Sequence, residues 1–355
     1  MQAGSLQRNL RYTGKERMRA LRTPVILLLA VCTTRTLPPR AAAIFAATRA
    51  VVDETHRQVM VPEHPQRIVS LAPSITETLY ALDQQDKLVA DTDYCDYPAA
   101  ATQKPHIGAV LNPSIERIVA LKPDLAIGSA EANRRETADQ LEHLGIPLYG
   151  LSDKSVDDVL KSIRDLGALL DSKTQANALA SSLEDRVQSV EHRVAGLPPP
   201  RVLFVTWYQP LITIGAHNFV ADVIRRAGGQ SISDDLPGEW PRLSLEVVLA
   251  RHPDVILLPR SHNYTPSLED LKRLPGWRDL AAVKSGRVYF ISDTIIRPSP
   301  RLIDSLEEVA QILHPRDNRS AIARDSLPSP ESRVPSPDAR HPMPDSPLAR
   351  TEPLE

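Results

Sequence analysis

Aromatic side chains are scarce in this chain, and several of them occur where they could bind a flat apolar ligand. Aromatic residues make up 4% of the sequence, yet three polar, proline-containing segments hold Tyr94, Tyr97, Trp207, Tyr208 and Trp240. Indole and phenol rings combine a large apolar face with one hydrogen-bonding group. We therefore predict that Tyr94, Trp207, Tyr208 and Trp240 bind a ligand. Tyr97 directly precedes a proline and is instead predicted to be a packed turn residue.

Two charged residues near the end of the chain could add directional hydrogen bonds to the same ligand. Asp293 and Arg297 lie in a predicted loop that follows a β-rich run, and charged groups form the stronger hydrogen bonds of proteins. We predict that both contact the ligand. The alternative for Arg297 is a cap on the last predicted helix. The alternative for Trp240 is a place in the core, although Gly238 and Pro241 beside it are typical of a loop.

The sequence contains none of the motifs that mark a phosphate, metal or nucleophile site. It has no Gly-rich phosphate-binding loop and no Gly-x-Ser-x-Gly elbow, and its ten histidines show no spacing typical of a metal site. We therefore predict a binding protein with no catalytic residues, no metal site and no cofactor. The alternative is a two-lobed α/β enzyme such as a metal chelatase, whose cleft would need a pair of histidines or carboxylates.

Length, composition and net charge limit the remaining classes of protein. A chain of 355 residues can hold two domains of ordinary size, and 42% hydrophobic and 24% charged residues are typical of a soluble globular protein. The formal net charge of −2 disfavours nucleic acid as a partner, because no basic excess is present to neutralise phosphates. Two cysteines, Cys32 and Cys95, are too few for a disulfide framework.

A segment that occurs twice in the chain would position the aromatic loops. Residues 114–127 and 244–257 align without a gap and share five identities. The identical pairs are Ser114 and Ser244, Glu116 and Glu246, Ala120 and Ala250, Pro123 and Pro253, and Asp124 and Asp254. Each copy predicts a serine-capped helix with a glutamate in its first turn, then a Pro-Asp break and a buried parallel strand. The duplication predicts two similar α/β lobes with parallel sheets.

One long helix is predicted to join the two lobes. Residues 173–195 contain few helix breakers and would act as a stiff spacer. The predicted organisation is a targeting segment at 1–50, a first lobe at 51–152, a helical connector at 153–199, a second lobe at 200–314 and a disordered proline-rich tail at 315–355. Ligands of α/β units bind beyond the carboxyl ends of the strands, so the aromatic loops of both lobes would line one cleft between them.

The start of the chain is typical of an exported protein. A basic stretch at 18–22, an apolar run at 25–31 and small residues at 41–47 follow the order of a secretory signal peptide, and the run is too short to span a bilayer. We expect a periplasmic protein. Residues 29–32 faintly resemble a lipoprotein box that ends at Cys32, but a soluble exported form is preferred to a lipid anchor there.

The sequence also predicts the bounds of two individual helices. Glu77 follows Ser74 by three residues, which predicts a capping box at the start of a helix over 75–82. Residues 267–282 are predicted to be helical throughout, with Trp277 as a core anchor.

Four segments of the chain together resemble the periplasmic cobalamin-binding proteins of ABC importers, within a wider class that binds cobalamin, haem and ferric siderophores. These segments are residues 67–77, 94–98, 107–125 and 240–246, and the resemblance spans roughly residues 50–314. It implies two α/β lobes joined by one long helix, with the ligand in the cleft between them. A corrinoid, most simply cobalamin, is the implied ligand, and haem or a ferric siderophore is the alternative.

The resemblance also implies roles for particular residues. Tyr94 and Trp240 would contact the corrin, with the segment 293–297 beside it. Val110 and Ser129 replace two further tryptophans of the pocket, and Trp207 with Tyr208 could compensate from the second lobe.

The repeated glutamates have an implied role of their own. Glu116 and Glu246 would dock a monomeric binding protein onto the two subunits of an ABC transporter permease dimer. Both residues could equally serve only as favourable charges at a helix start.

Overall fold

The computed structural model describes residues 47–260 and 265–315. The predicted targeting segment, including Cys32, lies outside the described residues up to residue 46, and so does the predicted tail from residue 316 onward. Among the described residues, no helix combines the length and apolar character needed to cross a membrane.

A β-hairpin precedes the first lobe, as its two β-rich arms predict. Strand β1 (Thr48–Val52) pairs antiparallel with β2 (Gln58–Pro62). The Asp53 carboxylate closes the turn by accepting hydrogen bonds from the backbone amides of Thr55 and Arg57 and from the Arg57 guanidinium. An aspartate that bonds the backbone ahead of it is a common way to stabilise such turns.

The first lobe is built on a four-stranded parallel sheet. Its strands are buried on both faces, which explains their almost continuous aliphatic sequences. In the order β4–β3–β5–β6, the strands are β3 (Ile68–Ser70), β4 (Leu88–Ala90), β5 (Leu125–Ser129) and β6 (Leu148–Leu151). The helices between them are α1 (Pro73–Ala81), α2 (Ile115–Ala120) and α3 (Arg135–His143), with a short 3-10 helix at Ala99–Gln103.

Two helices connect the lobes, and the second is continuous. Helix α4 (Val156–Leu169) packs along α5 (Lys173–Val194), which runs for 22 residues or about 33 Å. The two helices approach closely at Gly167, where a Cβ would clash with that of Ala176. The prediction of one long helix between the lobes is therefore confirmed.

The second lobe repeats the parallel architecture. Its sheet has the order β10–β7–β11–β12, and the strands are β7 (Arg201–Phe204), β10 (Gln230–Ser231), β11 (Val255–Pro259) and β12 (Val288–Ile291). Between β7 and β10, β8 (Trp207–Tyr208) and β9 (Leu211–Ile212) form a small antiparallel ribbon. The helices are α6 (Phe219–Arg226), α7 (Leu245–Arg251), α8 (Leu268–Arg273), α9 (Ala281–Lys284) and α10 (Leu302–Leu313), with 3-10 helices at Trp277–Asp279 and Asp293–Ile296.

The prediction of one helix over 267–282 is wrong. Helix α8 ends at Arg273, because Leu274, the residue before Pro275, is extended with a ψ of 130°. Trp277 is nevertheless buried in the core of this lobe, as predicted. Likewise, residues 293–296, predicted as loop, form a 3-10 helix.

The repeated segments adopt the same local structure in both lobes. Ser114 and Ser244 cap α2 and α7 by accepting from backbone amides three residues ahead. The residue before each Pro-Asp pair, Lys122 or His252, has the same left-handed φ of 47°. This turn allows the following proline to leave the helix without a clash.

A single core passes through both lobes. The largest hydrophobic cluster includes Leu79 and Ile127 of the first lobe, Val187 of α5, and Phe204 and Ile303 of the second lobe. Each lobe also has a smaller core of its own on the opposite face of its sheet. Two similar α/β lobes joined by a long helix are thus confirmed as the fold.

Candidate functional site

The carboxyl ends of strands from both lobes meet through Arg297. Arg297 follows the 3-10 helix after β12, and its guanidinium donates to Glu77 of α1 at 3.0 Å and to Asp96, in the loop after β4, at 2.5 and 3.2 Å. It also donates to Asp293 of its own segment at 3.0 Å. Because α1 follows β3, the carboxyl edges of the two sheets face each other across this contact.

Glu77 is a buried ion-pair partner. Its side chain is 2% exposed and accepts from Ser299 at 2.7 Å and from Arg301 at 3.4 Å, besides Arg297. The predicted capping box is therefore wrong. Pro73 occupies the first helical position of α1, so Ser74 already lies inside the helix and the Glu77 carboxylate points to the second lobe.

The loop that holds Tyr94 and Tyr97 makes further contacts with the second lobe. The Arg301 guanidinium lies 3.8 Å from the centre of the Tyr97 ring, a cation–π geometry. The hydrogen bond from Arg297 is the main cause that lowers the pKa of Asp96. Burial alone would lower the pKa of Arg297, but hydrogen bonds and the charges of nearby carboxylates outweigh it and raise that pKa. These groups are therefore ionised at neutral pH.

Tyr97 is not simply a packed turn residue. It is 46% exposed, and its ring face is in contact with Arg301. Tyr94 is 54% exposed, so its ring is available to a ligand at the surface of the same loop.

A hydrogen bond between the buried Asp91 and His106 supports this loop. The Asp91 carboxylate at the end of β4 is fully buried, with Oδ1 2.7 Å from His106 Nδ1. Its Oδ2 has no hydrogen-bond partner among the described residues. Burial raises the pKa of Asp91 to about 6, although His106 and Lys104 act in the opposite direction. The buried thiol of Cys95 adds contacts to Thr76 at 3.2 Å and Thr92 at 3.3 Å.

Trp207 and Tyr208 lie beside the segment that contains Arg297. Both are half-buried on the antiparallel ribbon and line a cavity of about 210 Å³ together with Ile296. The Trp207 indole donates to the carbonyl oxygen of Gln209 at 2.8 Å. The structure thus brings two predicted aromatic residues and the predicted polar segment 293–297 into one region.

Trp240 lies on a different loop of the second lobe. It is half-buried and packs against the large core, so both alternatives for it hold in part. Its neighbour Glu239 has a raised pKa, first because of burial and then because of the negative charge of Glu131 in the first lobe.

Sequence reasoning missed Glu77, Asp96, Ser299 and Arg301. Asp96 lies inside the segment 94–98 that carries the family resemblance. The signal for Glu77 was that it is the one charged residue of α1, whose other residues are apolar or uncharged. A charge there indicates a buried partner from elsewhere in the chain.

A larger cavity lies within the first lobe. Its volume is about 420 Å³, and its lining includes Arg57, Ser129, Asn133 and Glu142. Within the described residues, none of the predicted ligand-binding side chains lines it. Arg57 in its wall is bonded to Asp53 and Glu142, which hold the guanidinium in place.

The two repeated glutamates occupy matching positions on the surface. Glu116 and Glu246 are exposed in the first turns of α2 and α7. Each helix runs antiparallel to the strand that follows it, so its first turn lies near the carboxyl edge of its sheet. Hydrogen bonds from its own backbone amide and from Ser244 lower the pKa of Glu246.

The described residues contain no group of three or more histidine, cysteine, aspartate or glutamate side chains that could hold a metal ion. The possible chemistry of the cleft consists of aromatic faces, hydrogen bonds and fixed charges.

Comparison with known proteins identifies the family. A model of the periplasmic binding protein family matches residues 68–294. A vitamin B12-binding protein of Yersinia pestis (strain Pestoides F) is 30% identical over 246 residues, which cover 69% of this chain and 85% of that protein.

Solved structures give the same result. The periplasmic vitamin B12 binding protein BtuF of Vibrio cholerae is 30% identical with a TM-score of 0.63, covering 70% of this chain and 96% of BtuF. The periplasmic heme-binding protein RhuT from Roseiflexus sp. RS-1, in apo form, is 29% identical with a TM-score of 0.64, covering 70% of this chain and 97% of RhuT.

Proposed function

This chain belongs to the periplasmic binding protein family, and we propose that it captures a corrinoid in the cleft between its lobes and delivers it to an ABC importer. The observation that carries the proposal is the meeting of the segment 94–98 with the segment 293–297 across the lobes. The segment 94–98 is part of the resemblance to cobalamin-binding proteins, which also implies that 293–297 lies beside the corrin, and the identity to vitamin B12-binding proteins supports the same ligand.

The cleft residues suit the chemistry of a corrinoid. Tyr94, Trp207, Tyr208 and Trp240 would cover the flat corrin with aromatic surface. Asp293 would accept hydrogen bonds from the amide groups at the rim of the ligand, and Arg297 would hold Asp293 and Asp96 in position for them. These roles require binding and no covalent step, so we propose no catalytic residue and no resident cofactor.

Haem is the second candidate ligand. The 29% identity to a heme-binding protein favours it, because that relative covers as much of this chain as BtuF does. Haem shares the flat tetrapyrrole shape but carries two carboxylates in place of the amides of a corrinoid.

Delivery to the importer is proposed to use the repeated glutamates. Glu116 and Glu246 place one exposed carboxylate on each lobe, an arrangement that matches the two subunits of a permease dimer. A monomeric, exported form of the chain fits this docking. Export by the segment 1–50 as a soluble protein, rather than with an anchor at Cys32, is part of the same proposal.

Optical titration of the purified chain tests the ligand. Cyanocobalamin, haem and a ferric siderophore each change their absorption on binding, so the three can be compared under the same conditions. We expect tight, saturable binding of cyanocobalamin and much weaker binding of the others. Tight binding of haem or the siderophore with no response to cyanocobalamin would refute the corrinoid assignment.

A transport assay tests the docking residues. Glu116→Ala and Glu246→Ala should retain ligand binding but reduce ligand-stimulated ATPase activity of the importer, with the double variant lowest. High salt should weaken the wild-type response similarly, because exposed charge pairs are screened. Glu136→Ala is the control, since Glu136 is an exposed glutamate in the first turn of α3. Full activity of the double variant would leave both glutamates as residues that only stabilise helix starts.

A further inference from the structure

The cleft cluster around Arg297 holds more negative than positive charge. Three carboxylates, Glu77, Asp96 and Asp293, surround Arg297, and Arg301 adds a second guanidinium. Each terminal nitrogen of Arg297 already donates to two carboxylates: Nη1 to Glu77 and Asp96, and Nη2 to Asp96 and Asp293. The guanidinium therefore has little capacity left to bind an anionic ligand.

The exposed part of this cluster is its acidic part. The side chains of Asp96 and Asp293 are 63% and 41% exposed, whereas that of Arg297 is 15% exposed. Arg301 is further covered on one face by the Tyr97 ring. A ligand that enters between the lobes would therefore approach carboxylate oxygens rather than guanidinium hydrogens.

The loop with Trp240 provides a second acidic position. Glu239 of the second lobe and Glu131 of the first lobe are close enough that the charge of Glu131 contributes to the raised pKa of Glu239, after burial and against Lys154. Glu239 is a half-buried carboxylate directly beside Trp240, a predicted ligand contact, so a second acidic group lies next to the predicted binding surface.

We propose that these carboxylates select ligands with uncharged amide side groups and reject ligands of similar shape with carboxylates. Amides donate hydrogen bonds to carboxylate oxygens, whereas a ligand carboxylate can only accept and is repelled by a like charge. This inference rests on the proposed corrinoid function and specifies its side-group chemistry. It assigns selection to Asp96 and Glu239, with Glu77 as a positioning residue that keeps Arg297 neutralised.

A pair of ligands that differ by one charge provides the test. In a monocarboxylic acid of cyanocobalamin, one propionamide side chain is hydrolysed to a carboxylate while the corrin is unchanged. Binding of both compounds to the full chain is measured by titration at pH 7 and low salt. We expect wild type to prefer cyanocobalamin by about tenfold or more, and the preference to decrease as salt is raised.

Variants connect this preference to the named residues. Asp96→Asn retains an oxygen that can accept from Arg297, so the fold should be kept, and the preference should fall severalfold. Glu239→Gln should also lower the preference for cyanocobalamin, because it removes the charge of the second acidic residue. Asp304→Asn is the matched control, because Asp304 is an exposed aspartate of α10 whose carboxylate is bound to an arginine outside the cluster, Arg186 of α5. It should leave the preference unchanged.

The outcomes separate the inference from the proposed function. Equal binding of both corrinoids by wild type, or an unchanged preference in both Asp96→Asn and Glu239→Gln, would overturn the inference and reduce the cluster to a contact that holds the lobes together. Cyanocobalamin binding would still stand in either case. Failure of wild type to bind either corrinoid would refute the proposed function and the inference with it.

Discussion

In both lobes a serine-capped helix, a left-handed residue and a Pro-Asp pair lead into a central strand, whereas the loops facing the cleft have nothing in common between the lobes. In the first lobe the cleft loop is the segment 94–98, which the buried Asp91 supports. In the second lobe the cleft is faced by the antiparallel ribbon with Trp207 and by the 3-10 helix before Arg297. The repeat therefore supplies a common frame, whereas the proposed ligand contacts lie in loops that differ between the lobes.

The two copies of the repeat differ in the hydrogen bonds that their Pro-Asp aspartates accept. The Asp124 carboxylate accepts from the backbone amides of Gln66 and Arg67, at 2.8 and 2.9 Å, and so fastens the start of β3. The equivalent Asp254 accepts from one backbone amide, that of Arg201, at 2.8 Å. Asp254 is also the more exposed of the two.

The largest expected effect is a difference between these two aspartates. Asp124→Ala should lower the free energy of unfolding by about 3 kcal/mol, because two hydrogen bonds to a charged group are lost, and Asp254→Ala by about 1 kcal/mol. Urea denaturation of both variants measures the values. Equal losses would show that the second hydrogen bond of Asp124 contributes nothing.

The supports of the cleft loops should differ in their response to pH. In the first lobe the support is the ionisable Asp91, whereas in the second the Thr213 hydroxyl donates to the carbonyl oxygen of Phe204 at 2.7 Å. A raised pKa in the folded state means that Asp91 favours folding most when protonated. This contribution is complete below about pH 4, where the unfolded aspartate titrates, and is lost as pH rises through about 6.

Asp91→Asn removes that pH dependence. Relative to wild type, the variant should gain about 3 kcal/mol of unfolding free energy between pH 4 and pH 7, because the pKa rises from 3.8 to about 6 and each unit corresponds to about 1.4 kcal/mol. Thr213→Val is the control in the second lobe and should cost a similar amount at every pH. A constant difference between Asp91→Asn and wild type across this range would contradict the raised pKa of Asp91.

A smaller effect is expected from removing one aromatic face on each side of the cleft. Tyr94→Ala and Trp240→Ala should each weaken cyanocobalamin binding by about 1–3 kcal/mol through lost apolar contact. Calorimetric titration measures both, with Leu144→Ala as a control for an exposed apolar side chain at the end of α3. Unchanged affinity in both variants, with the fold intact, would remove these residues from the site.

The frame was predictable from sequence because its signals are local. Each repeat carries its own cap, its Pro-Asp break and its aliphatic strand within 14 consecutive residues, and the helix α5 is marked by a long run without breakers. Helix starts and stops of this kind depend on neighbouring residues only. The end of α8 at Arg273 was missed although Pro275 and Gly276, a dipeptide typical of turns, lie inside the predicted helix.

The cluster around Arg297 was not predictable, because it joins residues that are far apart in the sequence. Glu77 and Arg297 are 220 positions apart, and no local pattern states which arginine a buried glutamate will meet. The spacing of Ser74 and Glu77 is that of a capping box, but the helix starts two residues earlier than predicted, with Pro73 in its first turn. Selectivity therefore resides in contacts that only the folded chain reveals.

The central claim is that the ligand binds between the lobes, and hydrogen exchange with and without cyanocobalamin tests it most directly. We expect slower exchange on binding in segments from both lobes at once, namely 91–98 of the first lobe and 206–210, 239–242 and 292–298 of the second. Slower exchange confined to residues 128–139, in the wall of the 420 Å³ cavity of the first lobe, would contradict a cleft between two lobes as the binding site.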